Sequence, residues 1–471
     1  MNQIDETIVL SWFEKLCAIP HGSGNTAGIS QFCVDFATER GLAVCRDEAG
    51  NVIIRKDATN DSKEPVILQA HLDMVCEKLP DKEFDFTKDS LVLLREGDML
   101  TADGTTLGAD NGIAVAMILT ILDAKDIVHP PIEAVFTVDE EIGMLGADAL
   151  DCSVLSGKRL LNLDSDEEGT LIAGCAGGIR VDCKKKIGQV PCDGILTTIT
   201  AEGMLGGHSG VEIHKERANA NCVLIRFLNQ LKLPFSIVSL CGGERDNVIA
   251  SNATAEILIH PDFTEELSKE VTRFSELLKS EYAVSDPDIC LRVVFGTQCA
   301  KKVFAETKQM LAFLNALPGG VQNRNVALEM VETSLNMGVL SCKDGELHAG
   351  FAVRSAIASR LDMVCEKIKS LCTLAGIEYS STGRYPAWEY RKDSFLRDTC
   401  IKAYQRVYGE EPKVETIHAG LECGLFYERI PGLDAISFGP ALYDIHSPQE
   451  RVSISSVGRT WNLLLKILED L

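Results

Sequence analysis

The stretch "QAHLDMV" at residues 69–75 closes an apolar run, "PVILQAHLDMV", that reads as a buried strand. Its His71 and Asp73 are two residues apart, so the period of a strand sets both on one face. Four other places repeat the pattern. The run "IEAVFTV" leads into Asp139, Glu140 and Glu141. "RLLNLD" ends in Asp164, Asp110 in "LGADNG" precedes an apolar helix, and His446 follows the run "DAISFGP". Each has a plainer use when taken alone: Asp110 as a helix N-cap, the acidic triplet as a solvated loop, Asp164 as an acidic turn. Gathered in one crevice, so many carboxylates repel one another unless cations lie among them. Imidazole nitrogen with carboxylate oxygen suits Zn2+, and less selectively Mn2+ or Co2+. Five ligands around one ion make a closed site. Five ligands with one carboxylate shared between two ions leave each ion an open position, as in a cocatalytic pair. His71 is then a ligand, and Asp73 is the carboxylate behind it that orients a ligating ring. The sequence leaves open whether Asp73 meets the His71 ring or another ligand.

The elements that must carry these groups follow from hydrophobic spacing. "TIVLSWFEKLCAI", "ISQFCVDFATERG" and "NGIAVAMILTILDA" have helical spacing, and "AVCRDEAGNVIIRK" reads as a hairpin around Gly-Asn. Strands alternating with helices predict an α/β domain, a twisted mixed sheet with helices on both faces. Ligands of such sheets bind beyond the carboxyl ends of the strands, where the polar residues fall. From about residue 187 the pattern changes to β-α-β-β-α-β, followed by α-β-β-α-β. It reads as an α+β domain built from two ferredoxin-like β-α-β units, each with an Asn (Asn247, Asn336) near the start of a central strand. After "GRYPAWEY" the α/β style returns. The predicted order is a catalytic domain over 1–186, an inserted domain over 187–385 and the rest of the catalytic domain over 386–471.

Composition narrows the function. A net charge of −23 over 471 residues argues against nucleic-acid or anionic-membrane partners. No window approaches the length of an apolar membrane span, and the N-terminal stretch has no export signature. The 17 cysteines include no C-x-x-C pair, which excludes a zinc ribbon and predicts free thiols in a reducing cytoplasm.

The stretches "HLDMV", "LGADNGIAVA", "TVDEEIGMLGA", "LNLDSDE", "GGHSGVEIHKERANA" and "IHSPQERVSI", in this order, resemble aminoacyl-histidine (Xaa-His, β-alanyl-histidine) dipeptidases. These belong to the di-zinc exopeptidases that include aminoacylase and carnosinase. The resemblance runs almost from end to end. It implies that His71, Asp110 and Asp164 hold one metal ion and that Asp110 bridges to a second, completed by Glu141 and His446. It implies Asp73 as the supporting carboxylate, Glu140 as general base, and His208 of the inserted domain, a lid, as the group that polarises the scissile carbonyl. It places Arg354 where relatives grip the substrate's free carboxylate, with Asn247 near the same pocket, and it implies a cis peptide at Asp110-Asn111. Glu422 either contacts the substrate's amino end or is a buried structural carboxylate. No chemistry attaches to His214, and His418 fits the pattern without an assigned role.

The implied chemistry is hydrolysis of unblocked dipeptides. Water between two zinc ions has its pKa drawn toward neutrality. Glu140, beside a ligand, can take its proton and pass it to the leaving amine, whereas Glu141 is occupied by metal. His208 would share the oxyanion and Arg354 would clamp a carboxylate in a bidentate pair. The competing readings are an N-acyl amino acid deacylase or carboxypeptidase of the same family, and a non-catalytic metal or peptide binder. A cytoplasmic homodimer is expected, although the doubled lid would let one chain supply its own histidine.

Overall fold

Alternating apolar strands and helices fold as a mixed eight-stranded sheet in the order Ala43–Arg46, Val52–Lys56, Ile132–Thr137, Val66–His71, Arg159–Asn162, Asp434–Ser437, Thr170–Cys175, Lys413–Ile417. The four central strands, from Ile132–Thr137 to Asp434–Ser437, run parallel, so their carboxyl ends share one edge. Antiparallel strands flank them. The computed structural model describes residues 6–326 and 328–471.

Val66, Leu68 and Ala70 alternate along the central strand and pack into one hydrophobic core with the helices Glu6–Cys17, Ala27–Glu39, Ala109–Asp123, Phe395–Tyr408 and Ile454–Asp470. Ala109–Asp123 is apolar on every side and almost wholly buried, as a helix enclosed between a sheet and other helices must be. Gln69 points to the opposite face, where the helix Glu422–Arg429 supplies Glu422. Helices therefore cover both faces, as expected. A small antiparallel sheet joins Leu93–Glu96 and Met99–Ala102 to Arg451–Ser453 and Leu442–Tyr443. It frames the segment that carries His446.

This first unit takes the residues up to Cys175 with Trp388–Thr416 and Leu421–Leu471; a second takes Ala176–Ala387 with Ile417–Gly420. The second is built on a nine-stranded antiparallel sheet, in which Gly320–Asn325 pairs with Met330–Lys343 beside the main path. That path is Cys290–Phe304, Gln189–Glu202, Ala253–Ile259, Phe235–Gly242, Met330–Lys343, Glu346–Ser355, Gly177–Lys186, Glu378–Tyr385. Its first four strands, numbered by chain order within the copy, run 4-1-3-2, the ferredoxin-like arrangement. The last four, read from the other edge, also run 4-1-3-2 if Gly177–Lys186 is the first strand. One copy is thus inserted inside the other, between Gly177–Lys186 and the helix Thr307–Ala316, and the copies join where Phe235–Gly242 pairs with Met330–Lys343.

This topology corrects the expected boundary at residue 187. Gly177–Lys186 belongs to the inserted sheet because it pairs along its length with Glu346–Ser355 and Glu378–Tyr385. The other boundary lies at Trp388, not residue 386. The paired central-strand asparagines are also only half realised. Asn336 lies in Met330–Lys343, but Asn247 precedes the two-residue strand Val248–Ile249, which pairs with Gly207–His208 apart from the main sheet.

Candidate active site

The carboxyl edge of the parallel strands receives each polar group from a different connection. His71 is the last residue of its strand, Asp139–Glu141 follow Ile132–Thr137, Asp164 follows Arg159–Asn162, and His446 comes on the return from Asp434–Ser437. Asp110 arrives from the start of the buried helix. Gly108, at φ 67°, turns the chain into that helix, and Asp110 itself has non-helical φ −83° and ψ 100°. The Asp110-Asn111 peptide is cis.

Asp110 stands between the two imidazoles. Its Oδ1 lies 3.1 Å from His71 Nε2 and its Oδ2 lies 3.3 Å from His446 Nε2. Asp164 Oδ1 approaches His71 Nε2 at 3.5 Å, and Glu141 Oε1 approaches His446 Nε2 at 3.1 Å. Asp164 is steadied by Asn111, whose Nδ2 donates to its Oδ1 at 2.7 Å and to the Leu163 carbonyl. The cluster divides into a His71–Asp164 side and a His446–Glu141 side with Asp110 shared. One ligand atom each from His71, Asp110 and Glu141 lie within 4.8 Å of one another. Zinc bonds nitrogen and oxygen at about 2.0–2.2 Å, so this spacing and this donor set fit divalent cations.

The electrostatics agree. Burial alone would lower the His71 pKa, but hydrogen bonds to Asp110, Asp164 and Asp73 outweigh it and raise it well above the ordinary value. His446 is raised to about 10, first by its hydrogen bond to Asp110 and then by Glu141. The cluster stabilises positive charge. Glu140 is held well above the usual carboxylate range, first by burial, with His71 opposing and Asp164, Glu422 and Glu141 adding to the rise.

Asp73 meets both the ring and the neighbouring ligand loop. Its backbone carbonyl accepts from His71 Nδ1 at 3.0 Å, and its Oδ1 lies 3.5 Å from the same nitrogen. That contact puts a proton on Nδ1 and leaves Nε2 facing Asp110 and Asp164, where it could bind a metal ion. The carboxylate mainly holds backbone: Oδ1 accepts from Glu140 N at 3.0 Å, and Oδ2 accepts from Glu141 N at 3.2 Å and Ser23 Oγ at 2.8 Å. Gly24 N donates to Asp139 Oδ1 at 2.7 Å, and Asp139 adopts a left-handed φ of 55°. The loop "HGSGN" thus ties down the acidic triplet from a distant part of the chain. Sequence reasoning missed Ser23, Asn111 and Glu450. Asn111 and Glu450 stood inside the quoted motifs, whereas Ser23 carried only a turn signal.

Glu422 is 0 % exposed. Its Oε2 accepts from Gln69 Nε2 at 2.5 Å and Thr137 Oγ1 at 2.8 Å, while Oε1 has no partner among the described residues. Burial, with the nearby Asp164, pushes its pKa to about 7. It lies on the face of the sheet that Gln69 shares with His71, close enough to His71, Asp164 and Glu140 for their charges to act on one another.

His208, Arg354, Asn247 and His418 belong to the second unit. His208 pairs with Val248 at a loop tip, and Ser209 N donates to the Asn247 carbonyl at 2.8 Å. Asn336 Nδ2 donates to the carbonyls of Asp246 and Val248 on either side. Arg354 Nη1 donates to Tyr385 Oη at 2.8 Å, and its buried Nε has no partner among the described residues. Burial and the Arg354 charge lower His208, and lower His418 to about 3; His418 Nε2 lies 2.7 Å from Ser334 Oγ. Arg354, His208 and His418 therefore share one electrostatic neighbourhood. His214 is exposed in a short turn away from these contacts.

Sheet and cluster together define an α/β domain with a candidate metal site at the carboxyl edge of its parallel strands. The chain belongs to peptidase family M20/M25/M40, whose family model matches residues 67–470. It is 38% identical to the cytosol non-specific dipeptidase of Escherichia coli (strain K12), an alignment that covers 100% of this chain and 99% of that one. The fold superposes on the crystal structure of aminoacylhistidine dipeptidase from Vibrio alginolyticus with a TM-score of 0.94 and 38% identity, over 98% of this chain and 96% of that chain. Aminopeptidase PepT from Bacillus cereus shares the fold at a TM-score of 0.58 and 16% identity, over 99% of each chain. Among the described residues no helix is long and apolar enough to cross a membrane.

Proposed function

We propose that this peptidase hydrolyses unblocked dipeptides, Xaa-His among them, with two divalent cations, Zn2+ first and Co2+ or Mn2+ as substitutes. The observation that carries the reading is Asp110, whose two oxygens face two different imidazoles at 3.1 and 3.3 Å. His71, Asp164 and Asp110 would hold one cation, and Asp110, Glu141 and His446 the other. Such cations, when bound, bring the pKa of water toward neutrality and polarise a carbonyl oxygen.

Glu140 is the general base of this proposal. It takes a proton from the attacking water and delivers it to the amine as the C–N bond breaks. Burial, the first cause of its raised pKa, strengthens it as a base toward the proton of water. Asp73 keeps Glu140 and Glu141 in register through their backbone amides. His208 donates toward the developing oxyanion, and its depressed pKa suits a neutral imidazole. Arg354, oriented by Tyr385, binds the substrate's free carboxylate, with Asn247 at the edge of that pocket. Support for a dipeptide comes from the names of the Escherichia coli and Vibrio alginolyticus relatives, and the former also supports the cytoplasm as compartment. A homodimer is part of the proposal and is read directly by sedimentation.

The test compares alanyl-histidine and β-alanyl-histidine with an acetylated amino acid, using wild type and Glu140→Gln. Cleavage of the dipeptides is expected. Glu140→Gln is expected to lower kcat by about 10²–10⁴-fold with zinc content retained. Brisk deacylation without dipeptide cleavage would shift the chain to the deacylase reading. Unaltered turnover of Glu140→Gln would remove the mechanism.

A further inference from the structure

The peptide stretch that delivers Asp110 is gathered by one buried side chain. Glu450 is 2 % exposed and has no place in the proposed ligand set or proton path. Its Oε2 accepts from Leu107 N at 2.7 Å and Gly108 N at 3.1 Å. Its Oε1 accepts from Ala109 N at 2.9 Å and Asp110 N at 3.4 Å. Four successive amides therefore point at one carboxylate. They can do so because Gly108 adopts a left-handed φ of 67°, which curls neighbouring N–H groups toward a common centre.

Glu450 is itself held in place. Thr101 Oγ1 donates to its carbonyl at 2.8 Å, and its own N–H donates to the Ser447 carbonyl at 3.0 Å. It follows His446 by one short turn and leads directly into the strand Arg451–Ser453, which is paired with Met99–Ala102. One side chain thus connects the segment that carries His446 to the segment that carries Asp110. Asp110 turns one oxygen toward each imidazole, so a small rotation of its backbone would open one side of the cluster or the other.

We propose that Glu450 is a positioning residue for the metal centre: by gathering the amides of residues 107–110 it sets the orientation of the shared carboxylate Asp110 relative to His446. The inference rests on the reading that Asp110 holds cations. Glu450 would act on affinity for the ions without touching ion or substrate. Supporting groups of this kind change metal affinity by about 10–100-fold when removed.

The experiment uses the full chain, stripped of metal, as wild type, Glu450→Gln and Asp110→Asn. Zn2+ affinity is measured by competition with a chromophoric chelator, and amide hydrogen exchange is followed in the segment spanning 107–110. Glutamine keeps the volume but turns an NH2 group toward backbone donors. The expected result is Zn2+ binding weaker by about 10–100-fold, with exchange of 107–110 faster by about tenfold or more and the rest of the pattern unchanged. Zn2+ affinity within threefold of wild type, while Asp110→Asn loses binding, would overturn the proposal. If wild type itself binds no Zn2+, the metal reading fails, and exchange alone decides Glu450: faster exchange supports the gathering role and unchanged exchange refutes it. Should Glu450→Gln not fold, Glu450→Asp, one methylene shorter, is read by the same criteria. Failure of both to fold would assign Glu450 to general stability and overturn the positioning role.

Discussion

Asp73→Asn is the sharpest perturbation of this site, because it changes one atom type and leaves the shape alone. In the native protein the Asp73 carboxylate, 1 % exposed, accepts from Glu140 N, Glu141 N and Ser23 Oγ at 3.0, 3.2 and 2.8 Å. Asparagine must present an NH2 group where one of these oxygens was. If it replaces Oδ1, the Glu140 amide faces a donor; if it replaces Oδ2, the Glu141 amide does. Either way a buried N–H loses its acceptor, which costs about 1–3 kcal/mol, and a hydrogen bond to a charged group, worth about 1.5–3 kcal/mol, becomes a neutral one or disappears. The two effects overlap, so about 2–4 kcal/mol is expected. At 1.36 kcal/mol per factor of ten, that is about 30- to 1,000-fold, divided between weaker binding of the cation that Glu141 is proposed to hold and the slower proton transfer proposed for Glu140. The assay pairs Zn2+ competition with kcat/KM on alanyl-histidine, with thermal unfolding as the control for global damage. Affinity and kcat/KM both within threefold of wild type would refute the view that Asp73 aligns the acidic triplet. A fall in unfolding temperature without loss of either would reduce Asp73 to a structural carboxylate.

Three further outcomes follow from the same geometry. Prolonged chelation should abolish dipeptide hydrolysis and lower the unfolding temperature, because clustered carboxylates lose their counter-charge; added Zn2+ should restore both, and full activity in chelator would contradict the metal reading. Asp286 closes the neck of the His208 loop by accepting from Leu205 N at 2.9 Å and Ala218 N at 2.8 Å. Asp286→Asn should therefore speed amide exchange across 205–218 and lower kcat by about tenfold, whereas an unchanged exchange pattern would refute the neck role. His418 is buried as neutral imidazole with its pKa lowered to about 3 from 6.5, by burial and Arg354. The unfolded chain binds its proton first as pH falls, so the stability contribution is present above pH 6.5 and is lost between 6.5 and 3. At pH 5 the loss is about 2 kcal/mol, and pH-dependent unfolding of wild type against His418→Gln should lose that part of the slope.

Much of this protein was legible in one dimension because the signals are local. The strand period of two put His71 on one face with Gln69, but the strand ends at His71, so the meeting of Asp73 with that ring comes from the turn that follows. Parallel strands expose their carboxyl ends at a common edge, so polar residues ending several apolar runs had to converge there. The inserted α+β domain announced itself through its change of rhythm. The nesting of its two ferredoxin-like copies did not, because Gly177–Lys186 has the residue pattern of any half-buried strand, and only its pairing with strands more than 150 residues later assigns it. The same limit applies inside the site. Sequence could put Asp110 before a helix, but not decide that each of its oxygens would face a different imidazole. It could name Asp73 as a supporting carboxylate, but not that its partners are the amides of Glu140 and Glu141. It held no sign that Glu450 would collect four amides from 107–110. Backbone donors are the same for every residue, so such contacts leave no trace in residue type. Chemistry was written in the side chains and their spacing; orientation came from hydrogen bonds to main chain that only the folded molecule brings within reach.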